Sequence, residues 1–485
     1  MINGEIIREW RIKKGISQSL LSDLLNINQQ RISAWELNKK DIPEDKLKKI
    51  KNKFKKLSKE KIKELKKRNI VTNSKSTKSS VSPLTYKDFL RKGYPSFLLT
   101  KSKYPIKWIA SELSNHEKSD LKAISLFSGI GGIDFGFDLA GFNIVGYVEK
   151  EKSLRKMYEA NLPDSICLAD NIQNVEKKDV KRWRKKFGKI HLVIGGPPCQ
   201  GFSLTGKRNV GDPRNKLFKH YGSIVSELNP DIFVIENVSR MSSMKAIDGR
   251  KITEHIEEYF KKIGYHIQYK VLNAQNFGVP QFRERVFFIG LKREYDENKI
   301  GFPKPTHFLK NSNDTLKNFI EKEGSRLNIC HTFRDATSDL EKLESGEKSE
   351  QDPWHFAVEH PEHVIKWLKN VPEGDSAHNN ADPNLRPNSG YNTTYKRIKW
   401  DEPCSTITTN FGMISGSRNV HPENTRSFTI REAMRCQTFP DNFKVFGRLT
   451  DVRKGIGNAV PPLMAKKIAI YIREKIMKEL WKANN

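Results

Sequence analysis

Four residues with reactive or charged side chains lie where short apolar runs begin or end. Cys199 follows two prolines directly after the run HLVIGG, and Glu236 lies near the end of the run DIFVIENV. Arg283 precedes the run RVFFIG, and Arg285 is its first residue. The prolines fix the backbone and remove amide donors, which suits a side chain that projects into a cleft better than one inside a strand. The thiol of Cys199 is therefore a candidate nucleophile.

These side chains suit the addition of a thiolate to carbon 6 of a cytosine ring. Carbon 6 is a soft electrophile once N3 is protonated or hydrogen-bonded, and addition turns carbon 5 into a nucleophile that can accept a sulfonium methyl group. Burial would raise the pKa of Glu236 so that it can donate to N3. Arg283 and Arg285 share one face, so one could hold the pyrimidine oxygen while the other braces Glu236. The alternatives are an inert buried cysteine and a surface salt bridge.

A glycine-rich turn marks a candidate cofactor pocket. The run AISLF is followed by Phe127, Ser128, Gly129, Ile130, Gly131 and Gly132. Such a turn lets the backbone approach a ligand at a helix N-terminus, although similar turns also bind dinucleotides or only pack a helix on a strand. Glu149 ends the next apolar run, where a carboxylate can accept both ribose hydroxyls, and Asp170 follows the run ICLA, where it can accept from an adenine amino group. Two such carboxylates favour an adenosine moiety over simple helix capping.

The elements that must position these residues alternate in type. From Leu121, short apolar runs separated by helical stretches indicate a parallel sheet with crossover helices. Ligands of such sheets bind at the carboxyl edge, where the residues described above would lie. Beyond Gly290 the strand pattern fades into a long polar segment. We therefore expect an α/β fold with a mostly parallel sheet, formed by 121–301 and 427–485 and interrupted by an inserted domain at 302–426.

The N-terminal residues 1–68 are predicted to form a separate basic domain. Residues 1–80 contain 22 basic and 9 acidic side chains in a chain whose formal net charge is +30. Such an excess points to nucleic acid, with a generally lysine-rich proteome as the alternative. Amphipathic patterns predict three helices and a lysine-rich helical extension. Segment 69–120 combines a polar tether, VTNSKSTKSSVSP, with a stretch that carries no recognisable pattern.

The composition disfavours several other classes of protein. No apolar run approaches the ~18 residues that span a bilayer, and the N-terminus has charges where a secretory signal has its apolar core. Five cysteines lie far apart without a C-x-x-C pair, which argues against a disulfide framework or a zinc site. We expect a cytoplasmic protein without a metal ion and without a membrane partner.

The first three predicted helices resemble the helix-turn-helix domain of the bacterial Xre/Cro repressors. The resemblance rests on the helix lengths, on Ser33-Ala34-Trp35-Glu36 and on Pro43. It implies that Ile32 and Trp35 face the core. It also implies four residues that read bases in the major groove: Gln29, Gln30, Arg31 and Ser33. A basic bundle that contacts only phosphates, or that only packs on its neighbour, is the alternative.

From Leu121 onwards the chain resembles the bacterial DNA (cytosine-5)-methyltransferases. The family's motifs occur in order: F-x-G-x-G-G at 127–132, P-C-Q at 198–200, E-N-V at 236–238, Q-x-R-x-R at 281–285, the ninth motif at 431–440 and the tenth at 457–461. Pro197 and Ala459 differ from some relatives, but neither replaces a reacting group. The resemblance implies a Rossmann-like S-adenosylmethionine-dependent methyltransferase domain with an inserted target-recognition domain.

The resemblance also implies residue roles. Cys199 would be the nucleophile, Glu236 would contact N3, and Arg285 would contact the ring oxygen. The residues expected around S-adenosylmethionine are Phe127, Glu149, Asp170, Pro198 and Asn458. The glycine-containing basic segment 200–215 is predicted to form a lid over DNA, with an ordinary loop as the alternative. The lid residues expected to contact DNA are Gln200, Ser203, Thr205, Lys207 and Arg208. In the insert, 404–409 and the run FGMISGSRN are predicted to be groove-facing loops.

The sequence therefore predicts a site-specific DNA (cytosine-5)-methyltransferase of a restriction-modification system. Its predicted partners are double-stranded DNA, an operator bound by the N-terminal domain, and a cognate restriction endonuclease acting on the same site. The alternatives are a tRNA cytosine methyltransferase, which the helix-turn-helix resemblance disfavours, and a transcriptional regulator with a methyltransferase body. Intact Cys199, Glu236 and Arg285 disfavour the regulator as the sole role.

Overall fold

The structure is a computed structural model that describes residues 107–198, 215–246, 248–309, 328–415, 418–478 and 480, together with the single residues Ile7, Leu21, Ile32, Trp35 and Ile42. The chain divides into two compact units, Met1–Ser80 and Val81–Asn485. Among the described residues, no helix has both the length and the apolar character that crossing a membrane requires.

In the smaller unit, the described helical residues have buried side chains. Ile7, Leu21, Ile32 and Trp35 are each between 0% and 2% exposed. The burial of Ile32 and Trp35 agrees with the prediction that both face a core. The predicted base-reading residues Gln29, Gln30, Arg31 and Ser33 lie outside the described residues.

A seven-stranded sheet forms the centre of the larger unit. Its strands are β1 (Lys122–Leu126), β2 (Asn143–Val148), β3 (Ile166–Ala169), β4 (Leu192–Gly195), β5 (Ile232–Val238), β6 (Tyr265–Asn273) and β7 (Glu284–Lys292). They are arranged in the order β3-β2-β1-β4-β5-β7-β6. Within this sheet, β7 alone runs opposite to the other six strands, and it pairs Arg285 with Val238 of β5. The predicted mostly parallel sheet is confirmed, and its apolar runs reflect strands that are buried on both faces.

Helices cover both faces of this sheet. The helices before the insert are α1 (Lys107–Glu112), α2 (Gly132–Leu139), α3 (Lys152–Asn161), α4 (Lys177–Phe187), α5 (Asn215–Leu228) and α6 (Ile252–Lys262). One core joins Phe137 of α2 with Ile194 and Val234 of the sheet. A second core joins Trp183 of α4 and Phe260 of α6 with Phe233, Phe288 and other strand residues. The sheet therefore has two apolar layers, one on each side.

The described part of the segment after β7 contains little regular structure until the chain returns to the sheet. It includes the parallel pair β8 (His307–Phe308) and β9 (Asn328–Ile329), and the helices α7 (Phe333–Thr337) and α8 (Glu362–Leu368). The returning helices are α9 (Ile430–Cys436), α10 (Leu449–Asn458) and α11 (Pro462–Tyr471), the last continued by a π-helical turn at Ile472–Met477. Helix α11 packs so closely on α2 that a Cβ added at Gly136 would lie 2.5 Å from Ala465 Cβ.

Candidate active site

The carboxyl ends of four parallel strands meet at one edge of the sheet. Leu126 pairs with both Val148 and Gly195, and Gly195 pairs with Ile235. The predicted site residues at or just beyond these strand ends are Phe127, Glu149, Pro198 and Glu236. The sheet therefore brings together the predicted cofactor residues and the predicted base-contacting carboxyl at the edge where such folds bind ligands.

The glycine-rich turn after β1 has a backbone that few side chains tolerate. Gly129 and Gly131 have φ angles of 59° and 89°, and the non-glycine residue Phe127 also has a positive φ of 59°. A Cβ at Gly129 would meet no atom within 4 Å. By contrast, a Cβ at Gly132 would lie 2.6 Å from the Val460 carbonyl oxygen. The turn is thus open on one side and in close contact with the 457–461 motif on the other.

Glu149 is held against this turn by backbone hydrogen bonds. Its Oε2 accepts from the Gly129 amide at 2.8 Å and its Oε1 from the Glu151 amide at 2.8 Å. Each carboxylate oxygen can accept a second hydrogen bond, so the group can still receive ribose hydroxyls. Asp170 is exposed just after β3, whose Ala169 pairs with Val148, and Asn458 is exposed at the end of α10. These positions fit an adenosine-containing cofactor.

Glu236 and Arg285 form an ion pair beside the two prolines. Glu236 Oε1 lies 2.8 Å from Arg285 Nε, and their side chains are only 13% and 14% exposed. Burial raises the pKa of Glu236, and the charges of Arg285 and Arg283 oppose that rise. A Cβ at Gly196 would lie 3.0 Å from Glu236 Oε2. The second carboxyl oxygen therefore lies next to the backbone that leads into the prolines.

Asn237 fixes the end of β5 to the same segment. Its Nδ2 donates to the Pro197 carbonyl at 2.7 Å, and its Oδ1 accepts from the Val238 amide at 2.9 Å. Sequence analysis did not give Asn237 a role of its own, although it is the central residue of the E-N-V motif. It joins the two strand ends that carry the predicted carboxyl and the predicted nucleophile.

Arg283 occupies a different environment from Arg285. It is completely buried, and its guanidinium donates to the carbonyl oxygens of Ile407 at 3.0 Å, Gly457 at 3.0 Å and Ala459 at 2.8 Å. Burial lowers the pKa of Arg283, and the neighbouring charge of Arg285 adds to this effect. Of the predicted pair, Arg285 braces Glu236, while Arg283 joins the start of β7 to two distant segments. Direct contact between Arg283 and a base stays a prediction.

Gln281 extends the same network and was also not given a role from the sequence. It is completely buried, and its Oε1 accepts from the Ile407 amide at 2.8 Å. Its Nε2 donates to the Cys436 carbonyl and to Gln437 Oε1, both at 3.2 Å. The first residue of the Q-x-R-x-R motif thus connects β7 to α9.

Part of the run 404–409, predicted as a groove-facing loop, contacts the segment before β7. Cys404 is buried, its amide donates to the Pro280 carbonyl at 3.0 Å, and its carbonyl accepts from the Phe282 amide at 2.8 Å. Thr406 Oγ1 donates to the Phe282 carbonyl at 2.6 Å. These contacts fix Cys404 and Thr406, while Thr408 is exposed, so the orientation of this run toward a DNA groove stays a prediction. In the following run, Met413 is 55% exposed, and Gly416 and Ser417 lie outside the described residues.

Several predicted site residues lie outside the described residues. These are the nucleophile and the lid residues, Cys199, Gln200, Ser203, Thr205, Lys207 and Arg208. Their contacts stay predictions. The structure describes the residues that flank this segment. Pro198, immediately before Cys199, is exposed, and α5 begins at Asn215 after the predicted lid.

Comparison with known proteins places this geometry in a family. The profile of the C-5 cytosine-specific DNA methylases matches residues 121–474, and a helix-turn-helix profile matches residues 7–60. The chain is 36% identical over 369 residues to the Type II methyltransferase M1.HphI of Haemophilus parahaemolyticus, covering 76% of this chain and 90% of that protein. It is 31% identical over 387 residues to the Type II methyltransferase M.DdeI of Desulfomicrobium norvegicum, covering 72% and 88%.

Solved structures agree on the fold. A crystal structure from E. coli, of a protein assigned as a DNA modification methyltransferase encoded within a prophage, aligns with a TM-score of 0.54 at 23% identity. The alignment covers 74% of this chain and 99% of the other. The Entamoeba histolytica methyltransferase EhMeth aligns with a TM-score of 0.50 at 15% identity, covering 74% and 100%. At these identities the likeness concerns the fold alone.

Proposed function

Because the chain belongs to the C-5 cytosine-specific DNA methylase family and is a DNA (cytosine-5)-methyltransferase, we propose that it acts through a covalent bond between Cys199 and the target cytosine. The family and the fold imply S-adenosylmethionine as the methyl donor. The observation that best supports the covalent route is the Glu236–Arg285 pair, which lies beside the backbone leading into Cys199.

The proposed reaction uses these groups in a fixed order. The target cytosine leaves the duplex, which costs a few kcal/mol that stacking and phosphate contacts must offset. Glu236, with its raised pKa, donates to N3, and Arg285 holds the ring oxygen. The Cys199 thiolate adds to carbon 6, and the electron pair moves to carbon 5, which takes the methyl group. Loss of the carbon-5 proton to a base, return of the N3 proton to Glu236 and elimination of the thiolate then restore the aromatic ring.

S-adenosylmethionine, when bound, supplies the methyl group as a sulfonium. We propose that Glu149 accepts the ribose hydroxyls and that Asp170 accepts from the adenine amino group. The remaining pocket residues would be Phe127, Ser128, Gly129, Ile130, Gly131, Gly132, Pro198 and Asn458. The supporting observations are the open space in front of Gly129 and the two backbone hydrogen bonds that fix Glu149.

Arg283 acts as a positioning residue in this proposal. It holds the carbonyls of Gly457 and Ala459, and Ala459 adjoins the glycine-rich turn, where a Cβ at Gly132 would lie 2.9 Å from Ala459 Cβ. It also lies two residues before Arg285. One buried guanidinium therefore connects the backbone of the proposed cofactor pocket to the backbone that carries the proposed base contact.

DNA recognition is proposed to involve three separate parts of the chain. The insert, 302–426, would read the target site, and the lid residues from Gln200 to Arg208 would close over the extruded base. The helix-turn-helix domain, through Gln29, Gln30, Arg31 and Ser33, would bind an operator near the enzyme's own gene and limit its expression. The relatives are named Type II methyltransferases, which supports a role in protecting DNA from a cognate restriction endonuclease.

Bisulfite sequencing of DNA from cells that express the protein tests the activity and reads the target together. Cys199→Ala should abolish methylation while leaving the protein folded. Cys167→Ala is a matched control, because Cys167 is an exposed cysteine on β3. Methylation that persists in Cys199→Ala would refute the covalent mechanism.

The operator proposal needs a separate experiment. Footprinting of the gene's promoter with the full-length Cys199→Ala protein should reveal one protected site. Adding Arg31→Ala should remove that protection. A promoter without any preferred site would contradict autoregulation and leave the methylation mechanism untouched.

A further inference from the structure

Helix α4 and the turn after it carry an unusual concentration of positive charge. Residues 176–189 contain eight basic and two acidic side chains, whereas the whole of 81–485 contains 65 basic and 48 acidic ones. Fourteen residues thus supply more than a third of the net charge of the larger unit. A uniformly lysine-rich composition would spread this excess along the chain, so it does not explain the cluster.

The fold turns these basic side chains outward. Val180 and Trp183 are buried in the core under α4, which leaves the basic positions on the opposite side of the helix. Four of the eight pair with a carboxylate: Lys177 with Glu227, Lys178 with Glu176, Arg182 with Asp179, and Lys189 with Asp231. In the part of the chain that the structure describes, no such ion pair is formed by the other four, Lys181, Arg184, Lys185 and Lys186, all of which are exposed.

A depression of about 470 Å³ lies at the end of this helix. Four cationic side chains line it, Arg184, Lys185, Lys189 and Lys292, together with one carboxylate, Asp231. That carboxylate is nearly buried and already accepts from Lys189 and from the Tyr295 hydroxyl, both at 3.0 Å. The accessible charge is therefore positive. Lysine ammonium groups suit the phosphates of a polyanion, which they contact as point charges.

The depression lies at the opposite edge of the sheet from the candidate active site. Its residues Lys189 and Asp231 come just before β4 and β5, and Lys292 ends the antiparallel β7. Glu236 and the prolines, by contrast, lie at the carboxyl ends of these strands. At ~3.3 Å per residue, strands of this length separate the two edges by roughly 15–20 Å. A straight duplex in the active site cannot also lie along this edge.

We propose that the basic surface formed by Lys181, Arg184, Lys185, Lys186 and Lys189 binds the phosphate backbone of a DNA segment other than the one being methylated. This inference goes beyond the methylation reaction and requires only that DNA is the substrate. Such a surface retains the enzyme on long DNA between target sites, and its contribution depends on salt because each phosphate contact releases counterions.

Two full-length triple variants test the proposal. K181Q/K185Q/K186Q removes three unpaired charges from the surface. K251Q/K261Q/K262Q removes three exposed lysines at α6 that lie among Glu254, Glu257 and Glu258. Affinity for a duplex of about 30 bp without the methylation site is measured across salt concentrations. The slope of log K against log salt should become shallower by about 3 in the surface variant and stay at the wild-type value in the control.

Methylation kinetics then distinguish a second DNA segment from the one in the active site. On a duplex of about 16 bp that contains the site identified by bisulfite sequencing, which is too stiff to bend from the active site around the sheet to the opposite edge, both variants should keep wild-type kcat and KM. On plasmid DNA the surface variant alone should show a KM raised several-fold. Equal slopes for the two variants, or an equal KM rise on short and long DNA, would overturn the proposal. If the surface variant shows the shallower salt slope but the wild-type protein does not methylate cytosine, the DNA-binding surface stands and the proposed function is refuted.

Discussion

The two sides of the candidate active site hold their groups in different ways. On the base side, the ionisable groups of Glu236 and Arg285 are nearly buried and paired at 2.8 Å. On the cofactor side, Gly129 and Gly132 position the backbone by having no side chain, and Glu149 is fixed by backbone amides. The first arrangement depends on charge and the second on shape. Substitutions that remove a charge should therefore affect one side, and substitutions that add a methyl group should affect the other.

The largest effect is expected on the base side, from Arg285→Ala. Removing the guanidinium leaves the Glu236 carboxyl buried without its partner, which typically costs about 3–5 kcal/mol. Single-turnover methylation with saturating cofactor should slow by about 100-fold or more. Arg293→Ala is the control, since Arg293 is an exposed arginine whose side chain donates only to the Lys261 carbonyl among the described residues. A rate within threefold of wild type in Arg285→Ala would show that the ion pair between Glu236 and Arg285 does not position the groups on the base side.

Arg283→Gln should affect both sides, because Arg283 connects them. The shorter amide leaves some of the carbonyls of Ile407, Gly457 and Ala459 without a donor, at about 1–3 kcal/mol for each buried group left unpaired. We expect a higher KM for S-adenosylmethionine together with a lower kcat. Arg283→Lys should recover kcat only in part, because an ammonium cannot reproduce the planar fork. An unchanged KM with a lower kcat would mean that Arg283 serves the base side alone.

Gly132→Ala should weaken only the cofactor side. Its Cβ would lie 2.6 Å from the Val460 carbonyl oxygen, so the 457–461 backbone must shift, at a cost of about 1–3 kcal/mol. Calorimetry should record about 5- to 150-fold weaker binding of S-adenosylmethionine, while kcat at saturating cofactor stays within a few-fold. Gly264→Ala, at a turn where a Cβ would meet nothing within 4 Å, controls for backbone strain. Equal losses in the two variants would contradict a steric role for Gly132.

The smallest effect concerns stability and comes from Asp134, buried in the first turn of α2. Burial raises its pKa to about 7, against the opposing influence of Ser125 and Tyr158. Because the folded protein binds this proton more tightly than the unfolded chain, stability should fall as pH rises from about 4 to 7 and then level off. Asp134→Asn, which carries no titrating group, should reduce the fall in apparent Tm between pH 5 and pH 8 by a few degrees. An identical pH dependence in both proteins would contradict the raised pKa.

The sequence was sufficient to place the site residues at one edge of the sheet, because each motif contains a strand together with the site residue at its end. Glu149 and Glu236 needed only the rule that parallel strands end together. The roles of Gln281 and Arg283 could not be inferred in the same way, because their partners Ile407 and Gly457 lie more than 100 residues away. The run 404–409 illustrates the same limit. Its small polar residues gave no sign that Cys404 and Thr406 form hydrogen bonds with the distant segment 280–282.

The antiparallel direction of β7 also affects which register β5 and β7 can adopt. It lets residues at the beginning of a strand reach the edge where the other strands finish, which places Arg285 opposite Val238 and next to Glu236. A slip of one residue between β5 and β7 turns every side chain of the slipped strand to the other face. In one direction, such a slip would place Glu284 where Arg285 lies in the native register. The carboxylates of Glu284 and Glu236 would then lie next to each other and repel. Like-charge repulsion thus disfavours one incorrect register of β5 and β7.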